Sequence, residues 1–147
     1  MFFRRLYSIL TSLIACILLS GCGNGDAIVR NAFCHAEKQL TVAIETADST
    51  MAVCWEKGDT VVSPRRVENG KYIMTKAKAW TSGFFPGCLW YMYEYTGKKE
   101  WKDAAVRFTS YLEKERLNTG THDTGFKMYC SYGNGYRLTD DPAYRDV

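Results

Sequence analysis

The chain has 147 residues, which is enough for one domain, and its 19 basic and 16 acidic side chains give a net charge of +3. Two of the basic residues, Arg4 and Arg5, lie in a segment that we expect to be removed, so the remaining chain is close to neutral. Neither this charge nor any motif is typical of a nucleic-acid-binding protein, and nucleic acid is excluded as an expected partner.

The N-terminus has the organisation of a bacterial lipoprotein signal peptide. Residues 1–5 are basic, and residues 6–19 form a mostly apolar run that is too short for a comfortable membrane span. The run ends in Leu-Ser-Gly-Cys at residues 19–22, which resembles the lipobox whose cysteine is lipidated and becomes the first mature residue. The alternative is an ordinary secretory signal in which Cys22 is incidental.

These features predict a signal peptide at residues 1–21, a lipidated Cys22 and a flexible tether at residues 22–27. We expect a protein of the bacterial cell envelope that faces the periplasm or lies on the cell surface. Its only membrane contact would be the lipid anchor.

Six cysteines are present, of which Cys16 leaves with the signal peptide and Cys22 would carry the lipid. The remaining four would lie in a compartment that permits disulfides: Cys34, Cys54, Cys88 and Cys130. No two of them form a Cys-x-x-Cys pair, so a zinc or thioredoxin-like site has no support, and we expect neither a metal nor a cofactor. Cys88 and Cys130 fall on apolar helical faces, and we expect both side chains to be buried.

Residues 28–51 carry apolar side chains at steps of three and four, which describe one face of a helix. The face comprises Val29, Ala32, Phe33, Ala36, Leu40, Ala43, Ile44, Ala47 and Met51. His35 lies beside Cys34 in this predicted helix. Adjacent helical residues point in different directions, so a surface histidine is favoured over a metal-binding pair.

Residues 56–81 show no sustained hydrophobic period, and Gly58-Asp59, Ser63-Pro64 and Asn69-Gly70 are turn signals. We expect a long irregular insertion here. Such insertions are unusual in compact domains and are often functional. This one ends in an aromatic segment that begins with Trp80.

Two helices joined by a glycine turn are predicted next. Pro86 suits the first turn of one helix, and Thr96-Gly97 ends it. The second begins at Lys98 and continues to about Glu113, because apolar residues repeat there at helical spacing. Together they form an αα-hairpin.

Residues 118–126 form a loop that places His122 and Asp123 between two helical patterns, a position where catalytic residues often lie. The helix after the loop is expected to run from Phe126 toward Tyr136 or Leu138. Asp123 precedes this helix, so it could simply be the N-cap.

A last helix start is predicted at Asp141, an N-cap residue followed by proline. Every clear element is helical, and the hairpins have too few partners to bury their apolar faces. We therefore expect an all-α protein of which this chain is the first part.

Three ordered motifs carry a family resemblance: WTSGFFPGCLW at residues 80–90, NTGTHDTGF at residues 118–126 and YCSYGNGY at residues 129–136. Together they resemble glycoside hydrolase family 88, the unsaturated glucuronyl hydrolases. The resemblance extends from about residue 63 to residue 139. It implies an (α/α)6 barrel with the active site at one mouth, so that residues 28–147 would be the N-terminal, incomplete part of that barrel.

The resemblance also implies an activity. Family substrates are oligosaccharides released by polysaccharide lyases, often from glycosaminoglycans, with a C4=C5 unsaturated uronate at the non-reducing end. A carboxylic acid protonates the double bond, water adds, and the resulting hemiketal collapses and releases the sugar. Most glycosidases instead displace the leaving group directly at the anomeric carbon.

Individual site residues follow from the motifs. Asp123 matches one of the two catalytic aspartates of the family, and the second has no matching position before Val147. Trp80 matches a tryptophan that packs against the sugar ring, Phe84 a neighbouring substrate-contact aromatic, and His122 a histidine that contacts the unsaturated uronate. Gly83, Gly87, Gly133 and Gly135 are expected to serve turns and close helix packing.

Two alternatives remain at this stage. One is the related unsaturated rhamnogalacturonyl hydrolase family, which acts on pectin fragments on the same barrel, although the His-Asp-x-Gly-Phe motif favours the glucuronyl hydrolases. The other is an inactive, lipid-anchored remnant. Because the second aspartate is not found, we expect the 147-residue chain by itself to have no measurable turnover.

Overall fold

The computed structural model describes residues 22–146. The predicted signal peptide at residues 1–21 lies outside the described residues, and so does the side chain of Cys22. The chain divides into two compact units, Met1–Glu37 and Lys38–Val147, and the second unit holds the elements of the candidate site.

The first helix, α1, spans Cys22–Glu56. Within the second unit, Ala43, Ala47 and Met51 are buried at steps of four, as the sequence predicts for this face. Residues 22–27, predicted as a tether, are helical in the structure, although each glycine weakens a helix by about 1 kcal/mol relative to alanine. His35 is exposed, as expected for a surface histidine. Among residues 22–146, no helix is both long and apolar enough to cross a membrane.

An antiparallel hairpin follows where an irregular insertion was predicted. Strand β1 spans Val61–Glu68 and pairs with strand β2, Lys71–Lys76. Asn69 and Gly70 form its turn with φ values of 49° and 73°, the left-handed conformation that a two-residue hairpin turn requires. Register shifts on either side of Ser63 and Pro64 interrupt the alternation of side chains, which is why the strand pattern is hidden in the sequence.

The predicted αα-hairpin is present. Helix α2 spans Phe84–Thr96 and helix α3 spans Lys99–Ser110. Gly97 is left-handed at the end of α2, and its N–H donates to the Tyr93 carbonyl at 2.8 Å, as a C-terminal glycine cap does. The indole of Trp90 is fully buried between the helices and donates to the Thr109 hydroxyl at 3.1 Å.

Helix α3 ends three residues earlier than predicted, and a 3₁₀ turn at Glu113–Glu115 continues the chain. The Asp48 carboxylate in α1 accepts two hydrogen bonds from the Arg107 guanidinium in α3, at 2.5 and 3.1 Å. This paired geometry fixes α3 against the second-unit part of α1.

The last helical segment contains helix α4 (Thr124–Met128), a π-helical turn (Tyr129–Gly133) and helix α5 (Asn134–Thr139). This confirms the helix predicted from Phe126 to about Leu138. Asp141 then caps a short 3₁₀ helix, Pro142–Tyr144, by accepting from the Ala143 N–H at 2.9 Å, as predicted.

Two glycines allow α2 to approach the segment that carries α4. A Cβ atom on Gly83 would collide with the backbone carbonyl of Lys127, and one on Gly87 would lie 3.0 Å from the Cys130 carbonyl oxygen. The prediction that these glycines serve close packing is confirmed. The contact matters for function because it joins the aromatic motif of α2 to the helix that follows Asp123.

The cysteine prediction was partly wrong. Cys88 is exposed and Cys130 is only half-buried, and both are free thiols, as are Cys34 and Cys54. Cys88 lines an open cavity of about 290 Å³ together with Leu40 and Tyr72, so no described side chain fills the space beside it. Although the residue is exposed, the protein atoms that surround its sulfur partly desolvate it, which raises the pKa of the Cys88 thiol and keeps it protonated near neutral pH.

Candidate functional site

Asp123 lies in the turn before α4, and its backbone is held on both sides. Its N–H donates to the Thr121 hydroxyl at 3.1 Å, and its carbonyl accepts from the Phe126 N–H at 3.0 Å. The carboxylate occupies the N-cap position but makes no capping hydrogen bond with any described residue. Its side chain is 31% exposed, so the carboxylate is partly open to solvent.

The neighbours of the Asp123 carboxylate are polar and weakly bound to it. His122 Nε2 lies 3.3 Å from Oδ1, and the Thr121 hydroxyl lies 3.5 Å from Oδ2. The His122 side chain is 95% exposed, and a polar contact so exposed contributes little to stability. His122 is therefore placed to contact a ligand at the rim of the site.

Three exposed rings form what we term the aromatic cluster: Trp80, Phe84 and Phe126. The Trp80 ring lies 5.6 Å from Phe84 and 6.2 Å from Phe126, both edge-to-face, and the two phenylalanines are 6.5 Å apart. Their exposed fractions are 48%, 37% and 54% respectively. Such a group of solvent-facing rings beside a carboxylate offers an apolar platform for a sugar.

An open groove of about 540 Å³ joins the carboxylate to this platform. Asp123, Thr121 and Trp80 line one part of it, and the β-hairpin supplies Met74 and Lys76. Asp123 and Trp80, both predicted as site residues, therefore line the same groove. Phe84 packs on Trp80 but lines the neighbouring cavity, and His122 contacts Asp123 from outside the groove.

Two groups of residues in this site were not among the predicted site residues. Phe126 belongs to the loop motif but was assigned only to the following helix, although its spacing of three from Asp123 places both at the same helix start. Lys76, the last residue of β2, and Lys78, just after it, line the groove together with Thr121 and Asp123 of the loop, a proximity that no local pattern reveals. Lys76 is also ion-paired with Asp59 at 2.9 Å.

A buried ion pair joins Lys127, in the helix after Asp123, to Glu115, in the 3₁₀ turn that precedes the loop. Lys127 Nζ contacts Glu115 Oε2 at 2.6 Å, with side-chain exposures of 0% and 8%. Burial raises the pKa of Glu115, but hydrogen bonds from Lys127 and Asn118, together with the Lys127 charge, outweigh burial and hold that pKa below its usual range. Glu115 is therefore ionised at neutral pH.

Comparison with known proteins finds similar sequences. The Formosa agariphila unsaturated glucuronyl hydrolase is 47% identical over 72 residues, which are 48% of this chain and 18% of that protein. A Bacillus sp. unsaturated glucuronyl hydrolase is 40% identical over 83 residues, covering 54% of this chain and 22% of its own length. The Streptococcus agalactiae unsaturated chondroitin disaccharide hydrolase is 33% identical over 87 residues, covering 57% and 22%. No family model matches the chain.

A solved structure also matches, that of an unsaturated glucuronyl hydrolase specific for heparin. It superposes with a TM-score of 0.55 at 38% identity, covering 74% of this chain and 29% of that one. The chain is homologous to unsaturated glucuronyl hydrolases.

This homology confirms the resemblance that the three motifs indicate. Together with the predominance of helices, it also confirms the all-α class and the placement of the chain as part of an (α/α)6 barrel. The β-hairpin is an addition that the sequence did not predict. The chain spans about a fifth of the length of the curated glucuronyl hydrolases that it matches, at 18% and 22%.

Proposed function

We propose that this chain is part of a glycoside hydrolase that acts on unsaturated glucuronyl oligosaccharides by hydration of the C4=C5 double bond. The observation that carries the proposal is the position of Asp123, whose carboxylate makes no capping hydrogen bond and which lines the same groove as Trp80. Two similar proteins are named for a chondroitin disaccharide and for heparin. We infer that the substrates are glycosaminoglycan fragments released by polysaccharide lyases.

The reaction requires a carboxyl group that can exchange a proton beside the sugar ring. A proton adds to C4 of the enol ether, water adds to C5, and the hemiketal opens and releases the next sugar. Asp123 would lie beside the reacting ring, and Trp80 would pack against its apolar face. His122, at the exposed rim, would contact the uronate, and Phe126 would extend the platform on which the sugar lies.

The groove offers basic side chains that an anionic substrate could use. Its lining holds two lysines, Lys76 and Lys78, and two carboxylates, Asp59 and Asp123, and Asp59 is ion-paired with Lys76. An unsaturated uronate carries a carboxylate, and sulfated fragments carry further negative charge. Lys76 and Lys78 would attract these groups at low ionic strength and less so as the salt concentration increases.

The function is tested by the loss of ultraviolet absorbance from an unsaturated chondroitin disaccharide, using the longest gene product that contains this chain. Asp123→Asn should lower the rate by about 100-fold or more, the range of a lost acid–base group. Asp103→Asn is the matched control, because that exposed carboxylate in α3 is paired with Lys99 and lies outside the groove. Equal rates for both variants would contradict the proposal.

The isolated 147-residue chain should show no measurable turnover in the same assay. The family pattern places a second aspartate on a later helix, and no position before Val147 matches it. Robust, Asp123-dependent turnover by the isolated chain would show that the second carboxylate is not needed. Reading the gene beyond Val147 for a second acidic motif tests the same point without protein.

We also propose that the protein is held at the bacterial cell envelope by a lipid on Cys22, facing the periplasm or on the cell surface. The n-region, the apolar run and the Leu-Ser-Gly-Cys sequence at residues 19–22 support this placement. Labelled palmitate should be incorporated into the protein in bacteria and be lost in Cys22→Ala, whereas Cys34→Ala should retain it. Incorporation that survives Cys22→Ala would reject the anchor.

A further inference from the structure

Lys127 and Glu115 form a buried ion pair that the proposed chemistry does not use. Charged side chains are almost never fully buried unless they are paired. Replacing such a pair by apolar side chains is often neutral or stabilising, so stability alone is a weak reason for its presence. Lys127 is four residues after Asp123, one helical turn below it.

The pair is joined to the loop that carries Asp123 through Asn118. Glu115 Oε2 accepts from the Asn118 amide at 2.7 Å as well as from Lys127. The Asn118 side-chain oxygen accepts from the Gly120 N–H at 2.9 Å, and its backbone carbonyl accepts from the Thr124 hydroxyl at 2.9 Å. Hydrogen bonds therefore connect the buried charge to both ends of the turn around Asp123.

The same lysine also reaches the segment that carries Trp80. Lys127 Nζ lies 3.4 Å from the Lys78 carbonyl oxygen, two residues before Trp80. Phe126, the residue before Lys127, contacts the Trp80 ring. Two separate pieces of the site, the Trp80 segment and the Asp123 loop, therefore meet at one buried ammonium group.

We propose that the Lys127–Glu115 pair is a positioning device that holds the Asp123 loop and the Trp80 segment in register. Lys127 and Glu115 are positioning residues, since neither reaches the groove surface. The consequence for hydrolysis rests on the proposed function. The ordering of the two segments does not, and it can be measured on the chain without substrate.

The test is the double variant Lys127→Met with Glu115→Leu, which removes both charges while keeping apolar volume. It is read by hydrogen exchange of the amides of residues 118–126. A second reading is the fluorine resonance of Trp80 in 5-fluorotryptophan-labelled protein, assigned with Trp80→Phe. We expect the double variant to stay folded and the Trp80 resonance to shift. Amide exchange in residues 118–126 should become about tenfold faster, the size of effect that loss of a hydrogen bond to a charged group implies.

Lys99→Met with Asp103→Leu is the matched control, because this pair has the same 2.6 Å separation but is exposed on α3. It should leave both readouts unchanged. The proposal would be overturned if the double variant of the buried pair folds and both loop exchange and the Trp80 resonance are unchanged. The pair would then serve stability alone.

Asn118→Ala decides the matter if the double variant does not fold. It keeps the buried pair but removes the link from Glu115 to the loop. We expect faster exchange in residues 118–126 and an unchanged Trp80 resonance, because the Lys127 contact with the Lys78 carbonyl remains. Unchanged loop exchange in Asn118→Ala would refute the proposed role. Neither result depends on whether the protein hydrolyses a sugar.

Discussion

Replacing Gly83 by alanine adds a methyl group where α2 meets the helix that follows Asp123. The added Cβ would lie 2.6 Å from Lys127 Cα and 2.8 Å from its carbonyl carbon, and it would collide with the carbonyl oxygen. All three atoms are backbone, so they cannot move aside as the end of a flexible side chain could. The segment that carries the Asp123 loop must shift instead.

The cost follows from this geometry. Overpacking a core costs about 1–3 kcal/mol, and the upper end applies because backbone must move. For a chain of this size, a loss of about 3 kcal/mol lowers the melting temperature by roughly 6–12 °C, at 2–4 °C for each kcal/mol. The shift should also separate Trp80 from Phe126, since Phe126 adjoins Lys127.

Gly125→Ala is the matched control for this substitution. Gly125 lies in α4, and an added Cβ there would meet nothing within 4 Å. Alanine at such a helical position should be neutral or stabilising by up to about 1 kcal/mol. Thermal unfolding followed by circular dichroism compares the two variants. If Gly83→Ala and Gly125→Ala melt at the same temperature, the close approach of α2 and Lys127 does not exist as described.

Three further predictions concern stability. Asp123→Ala should change the free energy of unfolding, measured in urea, by less than about 0.5 kcal/mol, because the Asp123 carboxylate makes no capping hydrogen bond. Asp141→Ala should lower the free energy of unfolding by about 1 kcal/mol, because Asp141 does cap its helix. A loss as large at Asp123 would mean that this carboxylate acts as an ordinary N-cap. Burial and the hydrogen bond to Glu113 raise the pKa of Tyr132 above its ordinary value of 10.0. As the pH rises, the unfolded chain therefore loses the Tyr132 proton before the folded chain does, and the free energy of unfolding should fall above about pH 10. Tyr132→Phe should flatten that decline, and an identical decline would contradict the assignment. Asp48→Ala, which removes the carboxylate partner of Arg107, should destabilise the chain more than Asp103→Ala does, since the Lys99–Asp103 pair is more exposed. Equal losses of stability would mean that the Arg107–Asp48 contact does not fix α3 against α1.

Helices and their ends were predictable because their causes are local. The face at Ala43, Ala47 and Met51 follows from spacing, and the ends at Gly97 and Asp141 follow from the conformations that glycine and aspartate favour. The hairpin was not predictable in the same way. Its turn signal at Asn69-Gly70 was visible, but register shifts break the alternation that identifies a strand.

Some residues of the candidate site were likewise predictable from local sequence, and others were not. Trp80 and Asp123 could be named because the motifs that contain them resemble a known family. Lys76, Lys78 and the buried Lys127–Glu115 pair could not, because each acquires its place through contacts between segments far apart in the chain. Cys88 was wrongly predicted as buried for a related reason, since helical spacing identifies a face but not what covers it.

The most direct test of the central claim is an NMR titration of the chain with an unsaturated chondroitin disaccharide, because it reports binding even without turnover. If Asp123 and Trp80 form the sugar-binding groove, resonances of residues 118–126 and the Trp80 indole should shift together. The shifts of residues 118–126 should disappear in Trp80→Ala. The saturated disaccharide should cause smaller shifts. Shifts confined to other parts of the chain, or unchanged binding in Trp80→Ala, would contradict the account.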